Sequence, residues 1–410
     1  MPNRTLHEIF AHFDSLNQDE RHFQNSNDIC TPMQCVKDMV DSVPSSLWKR
    51  KNLKVLDSCC GNGNFHAYIA ATKTNLKNLY FNEINEKRIR NVRKYFGKNI
   101  NLTKRDFLEF GTGGDLTTGK DCLFDMVVSN PPYAKFCGEK RASKNHNLSR
   151  EFIKKALDIT KPNGYILFIA PDNWMSFSDR NLLPSLMSKY QFHHLNIHGA
   201  KKYFPKVGSS FTWFLLQKTP NKNPFIIENY YKKHDKVNAR VEPGIDFIPL
   251  YYSDEVRKLI KKTIYAEVPK YVVETTSDLH RTTKSDMISP QKNAAHPYRL
   301  VHTPKQTVYA SRPHKFQDGW KVFLSLSDRY GTFVDNCGMT QSVAFIRCKS
   351  KKEAEKIKRE LDSPVYRAIN NLTRYGNFNN IRILQRLPCL KYVHLTKQQE
   401  KLVNHFARVL

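Results

Sequence analysis

Residues 127–133, Val-Val-Ser-Asn-Pro-Pro-Tyr, carry the densest chemistry in the chain. Apolar residues run up to Val128 as in a buried strand, and the chain then stops at Asn130-Pro131-Pro132-Tyr133. Pro131 fixes its own φ and biases Asn130 away from the helical region; Pro132 does the same to Pro131. This predicts a stiff, extended corner at the carboxyl end of a strand. Asn130 offers an amide oxygen, Pro131 a carbonyl with no N–H beside it, and Tyr133 a flat ring. Two acceptors and a ring suit a planar amino group such as the exocyclic amine of adenine. A Pro-Pro pair is also ordinary turn punctuation, so the residues upstream decide the reading.

Upstream, three acidic residues stand at successive strand ends. Leu53 to Leu56 is a short apolar run that ends at Asp57 and enters Ser58-Cys59-Cys60-Gly61-Asn62-Gly63-Asn64-Phe65. A strand, a glycine turn and a helix start let backbone approach a nucleotide-like ligand closely and present free N–H groups. The turn is not the full Gly-x-Gly-x-x-Gly fingerprint. The run Leu79 to Asn82 delivers Glu83, about twenty positions on, where a carboxylate can accept from two ribose hydroxyls. Ile84 can pack on a base. Asp106 can accept from an adenine amine, and Phe107 beside it can stack.

The elements that would hold these groups alternate. Residues 4–24 read as a helix, and Thr31 reads as the cap of a helix whose first residue is Pro32. Helices are expected near 65–71, 85–95, 150–160 and 179–190, and strands near 53–56, 79–82, 124–129, 165–170, 193–197 and 211–217. Lys161-Pro162-Asn163-Gly164 reads as a turn. This pattern predicts an α/β, doubly wound and mostly parallel sheet over residues 1–220. Beyond Thr219-Pro220 it becomes less regular, with short strands at 225–227, 245–248, 322–325 and 343–346 and a charged helix at 351–361. A second, α+β domain is therefore expected over 221–410.

The chain has 410 residues, with 66 Lys and Arg against 38 Asp and Glu, a net charge of +28. Residues 221–410 hold 34 basic and 18 acidic side chains, so both halves are basic. Such an excess fits a polyanionic partner. The candidate contacts are Lys135, Arg141 and Lys144 in the polar stretch after the corner, and Arg312, Lys315, Arg329 and Arg374 in the second domain. No apolar run approaches the ~18 residues of a membrane span. The first ten residues are mixed and charged, unlike a secretory leader. The nine cysteines show no Cys-x-x-Cys pair, so reduced thiols and no metal site are expected. A cytoplasmic protein, bacterial or of a virus inside its host cell, is the expectation.

Taken together, the first 220 residues resemble the S-adenosylmethionine-dependent DNA adenine-N6 methyltransferases of the gamma order. The matching stretches are Thr31-Pro32, Asp57 to Phe65, Glu83, Asp106-Phe107, Asn130 to Tyr133, Lys161 to Trp174, and Phe204-Pro205. Ser58 departs from the pattern, where the family often has proline. The resemblance implies S-adenosylmethionine as cofactor and double-stranded DNA as partner, with a separate cognate restriction endonuclease as a further one. It assigns the cofactor carboxylate end to Thr31 and the methionine part to the 57–63 turn, with Asp57, Cys59, Gly61, Gly63 and Phe65 as cofactor-binding residues. It gives Glu83 the ribose, Ile84 and Phe107 a sandwich around the cofactor adenine, and Asp106 its amine. Asn130 and the Pro131 carbonyl would hold the target amine, with Asn130 also bordering the cofactor, and Pro132 would stiffen the corner. Tyr133 and Phe204 would stack on the target base.

The chemistry is consistent with that assignment. The lone pair of an adenine amine is delocalised into the ring, and two acceptors free it and stabilise the positive charge that develops on nitrogen. Extruding the base costs a few kcal/mol, and aromatic stacking returns ~1–3 kcal/mol per base. Three other readings remain open at this point: an RNA adenine methyltransferase, a protein glutamine N5-methyltransferase, and a non-catalytic nucleic-acid-binding module.

Overall fold

The structure is a computed structural model that describes residues 4–18, 30–110, 123–133, 136–137, 140–141, 148–177, 182–197, 203–204, 211–229, 235–240, 247–327, 329–375 and 378–408. The chain divides into two compact units, Met1–Met175 with Asn181–Ile245, and Ser176–Arg180 with Asp246–Leu410.

The first unit is built on one sheet. Its strands are β1 (Val55–Asp57), β2 (Leu79–Asn82), β3 (Asn101–Thr103), β4 (Phe124–Ser129), β7 (Thr160–Pro171), β8 (Gln191–Ile197), β9 (Phe211–Gln217), β10 (Phe225–Asn229) and β11 (Asp235–Ala239). A small hairpin, β5 (Phe136–Cys137) and β6 (Lys140–Arg141), lies outside it. The order across the sheet is β11-β10-β8-β9-β7-β4-β1-β2-β3. Parallel pairing joins β3, β2, β1, β4 and β7, while β9 runs antiparallel between β7 and β8. The expected α/β, mostly parallel sheet is present. β1 and β4 are buried along their whole length, which is why they read as unbroken apolar runs rather than as alternation.

Helices α1 (Leu6–Gln18), α2 (Met33–Asp41), α3 (Ser45–Trp48), α4 (Asn64–Thr72), α5 (Glu86–Phe96), α6 (Ser149–Asp158) and α7 (Leu183–Lys189) complete the unit. Phe13 of α1, Val36 and Met39 of α2, Ile69 of α4 and Val92 of α5 join Val55, Phe81, Met126 and Leu167 of the strands in one core. On α6, Phe152 stacks on Phe107, their planes 3° apart. Each such fully buried side chain contributes about 1.5–3 kcal/mol.

Four expectations are corrected. Thr31 does not cap α2: Asp14 Oδ1 accepts the Met33 N–H at 3.1 Å, and Pro32 precedes the first helical residue. Lys161 to Gly164 lies within β7, as a bulge: Asn163 takes a positive φ of 60°, its N–H donates to Lys218 O, and Lys161 Nζ reaches Asp125 Oδ2 at 2.9 Å. The first unit runs to Ile245 rather than 220, because β10 and β11 add to the same sheet, β10 pairing with β8. Phe247 and Ile248 are buried but not in a strand.

The second unit is α+β. It holds β12 (Ile288–Ser289), β13 (Tyr298–Thr303), β14 (Gln306–Ala310), β15 (Lys321–Ser325), β16 (Thr332–Asp335), β17 (Gly338–Met339) and β18 (Val343–Arg347). They form a sheet β12-β14-β13-β17 and a sheet β16-β15-β18. Helices α8 (Asp254–Lys262), α9 (Lys351–Leu361), α10 (Pro364–Thr373), α11 (Ile381–Leu384) and α12 (Lys397–Arg408) accompany them. No helix among the described residues is long and apolar enough to cross a membrane.

Candidate active site

The turn after β1 is shaped by two glycines. Gly61 has φ +56° and Gly63 φ +94°, and a Cβ on Gly63 would come within 2.6 Å of Phe96 Cε2. Position 63 therefore excludes any side chain twice over, by backbone conformation and by contact. The turn is pinned at both ends. Cys60 N–H donates to Asn82 O at 2.9 Å and Ser58 N–H to Val128 O at 3.1 Å. The Ser58 hydroxyl also donates to Ser129 Oγ at 2.7 Å. Ser58, the departure from the family pattern, thus ties the end of β1 to the end of β4.

Glu83, one residue past β2, is 6% exposed. Its Oε2 accepts the Gly61 N–H and its Oε1 the Asn85 N–H, both at 2.8 Å. Arg88 Nη1 lies 4.0 Å from Oε2. Asn85 in turn caps α5, accepting from Lys87 N–H at 2.9 Å.

Asp57 is 1% exposed. Neither carboxylate oxygen meets a hydrogen-bond donor in good geometry, although the Cys59 N–H lies near enough to favour the charged form. Burial and the neighbouring charge of Glu83 push its pKa well above the usual carboxylate range. A buried carboxylate left in this state is costly until a donor or cation arrives. The ammonium or sulfonium charge of S-adenosylmethionine is of the required sign, so the residues of the turn fit that cofactor.

A cavity of about 30 Å³ opens on this turn, lined by Cys30, Thr31, Cys59 to Asn62, Asn64, Phe65, Arg88 and Asn130. The cavity brings together Thr31, Cys59, Gly61, Phe65 and Asn130 from the sequence-derived set; Glu83 reaches it through the Gly61 N–H. Cys60 and Asn62 also lie in the 57–63 turn that the resemblance gives to the methionine part, whereas Cys30, Asn64 and Arg88 were missed. Arg88 carried a readable signal, one turn into the helix that follows the acidic residue.

The Asn-Pro-Pro-Tyr corner follows β4 directly. Asn130 is half-buried, Pro131 buried and Pro132 exposed. Asn130 Nδ2 donates to Thr31 Oγ1 at 3.1 Å. The Tyr133 hydroxyl is buried without a hydrogen-bond partner, and burial, with Cys59 nearby, pushes its pKa up. Tyr133 O accepts the Leu148 N–H at 3.0 Å, closing the chain segment behind the corner.

Other predicted groups are more dispersed. Ile84 is 57% exposed, whereas the Phe107 ring is 2% exposed and packed on Phe110 and Phe152. Asp106 is exposed and its Oδ1 accepts from Leu108 N–H at 2.9 Å, capping a short 3-10 turn. Phe204 is buried in the core, its ring 5.6 Å from that of Phe211. Among the described residues no cluster of His, Cys, Asp and Glu could hold a metal ion.

Of the basic candidates, Arg312 is engaged by Asp278, Nη2 to Oδ1 at 2.8 Å. The Lys315 N–H also donates to Asp278, and its Nζ lies 4.9 Å above the centre of the Phe316 ring. Arg329 is exposed, and Arg374 is half-buried at the end of α10. Lys135 and Lys144 lie outside the described residues, as does Pro205; Arg141 is described only as backbone in β6.

The fold recurs in solved structures. A DrdV–DNA complex matches 99% of this chain and 60% of its own at 11% identity, with a TM-score of 0.60. A nuclease-deletion mutant of the Type ISP restriction-modification enzyme LlaGI, with a DNA substrate mimic, matches 92% of this chain and 46% of its own at 13% identity, with a TM-score of 0.54. The chain thus spans about half the length of either protein, and the likeness is one of fold. No curated protein sequence matches the chain. Residues 40–204, less than half of the chain but the stretch that holds the glycine turn, Glu83 and the Asn130 corner, match the model of the Eco57I restriction-modification methylases.

Proposed function

We propose that the chain is a DNA methyltransferase that moves a methyl group from S-adenosylmethionine to the N6 amine of an adenine swung out of duplex DNA. The observation that carries this reading is Asn130, which directly follows β4, borders the cavity of the glycine turn and opens the Pro131-Pro132-Tyr133 corner. A group with two acceptors and a ring beside a cofactor turn suits a planar amine. The restriction-modification match over 40–204 and the DNA complexes among the structural neighbours support the same reading.

S-adenosylmethionine, when bound, supplies an electrophilic methyl on a positive sulfur. The Asp57 carboxylate and the Gly61 backbone would hold its methionine end, Glu83 its ribose, and Ile84 and Asp106 its adenine. Asn130 Oδ1 and Pro131 O would accept from the target amine and stabilise charge developing there. Tyr133 would stack on the base and offset the cost of extrusion. No strong base is needed in this scheme. Residues 246–410 would select the DNA site, and the net +16 of residues 221–410 would make DNA affinity fall steeply with salt.

The test is labelled-methyl transfer to duplex DNA, RNA and protein side by side, followed by nucleoside analysis. N6-methyladenine in duplex DNA is the expected product. Label confined to RNA, or to glutamine in protein, would replace this reading with one of its rivals.

A further inference from the structure

The chain passes from β18 into α9 through Arg347-Cys348-Lys349-Ser350-Lys351-Lys352. The four basic residues of this run are exposed. Lys351 and Lys352 open α9, at the end where the helix dipole is positive and a cation is disfavoured. The helix does not need them there: the Ser350 hydroxyl accepts the Glu353 N–H at 3.2 Å and caps it. Glu353 is engaged by backbone, its Oε2 accepting the Lys349 N–H at 2.6 Å. Positions at which a sequence breaks a local rule without a local gain are commonly functional.

Aromatic rings hold the cations in place. Lys351 Nζ lies 5.4 Å from the centre of the Trp320 ring, and the Trp320 carbonyl accepts the Cys348 N–H at 2.9 Å. Over the Phe316 ring, Lys315 Nζ stands 4.9 Å and the Arg347 guanidinium carbon 5.3 Å from the centre. That ring packs on Phe345 of β18, with centres 5.3 Å apart. Arg347 is also oriented by Glu274, whose Oε1 accepts from Nε at 2.7 Å. Glu274 is fixed in turn by paired backbone hydrogen bonds to Phe345. Among the described residues neither Nη of Arg347 has an acceptor, and no carboxylate pairs with the ammonium of Lys315, Lys349, Lys351 or Lys352. The exposed Asp318, between the two rings in sequence, pairs with none of them.

We infer that Lys315, Arg347 and Lys351 form a phosphate contact through which the second unit grips the backbone of duplex DNA. The partner is a polyanion because the surface offers cations without counter-charges, beside a helix start that an anion would complement. The backbone rather than the bases is the target because both rings are engaged in holding cations, and fixed positive groups suit phosphate, which carries no base identity. Arg347 supplies the directional element: with Nε tied to Glu274, its two Nη groups match two oxygens of one phosphate. The rings and Glu274 fix these side chains before DNA arrives, which lowers the ordering cost of binding. Duplex DNA as the polyanion rests on the proposed function, and the contact is tested apart from methyl transfer.

The test is equilibrium binding of the full chain to a fluorescent duplex, without S-adenosylmethionine, across a series of salt concentrations. Each phosphate contact contributes about 0.9 to the steepness of log affinity against log salt. Lys315→Gln combined with Lys351→Gln should therefore lower the steepness by about two, and Arg347→Gln by about one. Lys397→Gln combined with Lys401→Gln, at two exposed positions of α12, removes as much charge as the first pair and should leave it unchanged. The lysine variants should keep the wild-type melting temperature. Preference among duplex sequences, read by selection from a random pool, should be the same in every variant. An unchanged steepness in either patch variant, an equal drop in the α12 control, or an altered sequence preference would overturn the inference. A protein that grips duplex DNA through these residues but forms no N6-methyladenine would keep the contact and lose the proposed function. One that methylates DNA while its patch variants bind as wild type does would lose the contact alone.

Discussion

Glu83 and Gly61 are joined by a hydrogen bond of 2.8 Å from the Gly61 N–H to Glu83 Oε2. The acidic residue thus shapes the glycine turn before any ligand is present. Its other oxygen holds the Asn85 N–H at the start of α5. A carboxylate that accepts one N–H on each oxygen still has lone pairs for two hydroxyls, so the structural and ligand-binding duties are compatible in one side chain.

Removing that carboxylate should therefore have two effects. Glu83→Ala leaves the Gly61 and Asn85 N–H groups without their acceptor and should lower unfolding free energy by roughly 1–3 kcal/mol. It should weaken cofactor binding by a similar amount. Glu83→Gln keeps one acceptor and should fall between the two. Differential scanning calorimetry and titration calorimetry on the same preparations read both effects; a folded Glu83→Ala protein with unchanged cofactor affinity removes Glu83 from the site.

Asp57 should show stability and binding moving in opposite directions. Its pKa is raised in the folded state by burial and by Glu83, so the folded protein resists its ionisation. The penalty is absent below the unfolded carboxylate pKa and grows as pH rises. Asp57→Asn removes the charge and should raise the melting temperature of the ligand-free protein at neutral pH, while weakening S-adenosylmethionine binding tenfold or more. A lowered melting temperature at neutral pH would show that the charge is compensated in the folded protein.

Asn130 and Tyr133 should fail differently. Asn130→Ala should lower single-turnover rate by ~10²-fold or more, the scale of losing one transition-state hydrogen bond, with cofactor affinity little changed. Tyr133→Ala should weaken productive DNA binding as well as rate. Tyr133→Phe should be near neutral or slightly stabilising, because the hydroxyl it deletes is buried without a partner. A Tyr133→Phe enzyme as damaged as Tyr133→Ala would assign a role to that hydroxyl.

Two buried histidines set an acid limit. His66 Nε2 lies 2.7 Å from Tyr80 O; a carbonyl only accepts, so Nε2 carries the proton of a neutral ring. Burial lowers its pKa to about 4, and burial likewise lowers that of His314 in the second unit to about 4. Below pH ~6.5 the unfolded chain takes up protons that the folded one refuses. Stability should fall as pH drops from 6.5 towards 4, by up to roughly 3 kcal/mol for each residue. His66→Gln should flatten that part of the denaturation profile in the first unit; an unchanged profile would mean that His66 titrates normally.

The legible parts of this fold are those whose cause is local. β1, β2, β4, β7 and β9 were readable as apolar runs because strands buried on both faces need apolar residues throughout. The glycine turn and the Pro-Pro corner were readable because glycine and proline act on their own backbone. Strand order was not, and neither was the reversal of β9, since neither leaves a mark on the strand itself. Lys161 to Gly164 read as a turn because Pro, Asn and Gly punctuate chains. Its bonds to Asp125 and Lys218, set by distant residues, hold it in the sheet. The Asp14 cap, the Cys30 wall and the use of Thr31 were hidden for the same reason.

Ser58 has a thermal consequence. A proline at this position stiffens a turn by narrowing the conformations of the unfolded chain, an entropic effect. Here the turn is stiffened by the Ser58 N–H bonded to Val128 O and the Ser58 hydroxyl bonded to Ser129, and hydrogen bonds hold through enthalpy. Rigidity of that origin weakens on warming, so amide exchange at Ser58 should accelerate with temperature well before global unfolding. Ser58→Pro would delete the bond to Val128 and should destabilise this chain, although the resemblance makes proline the expected residue there.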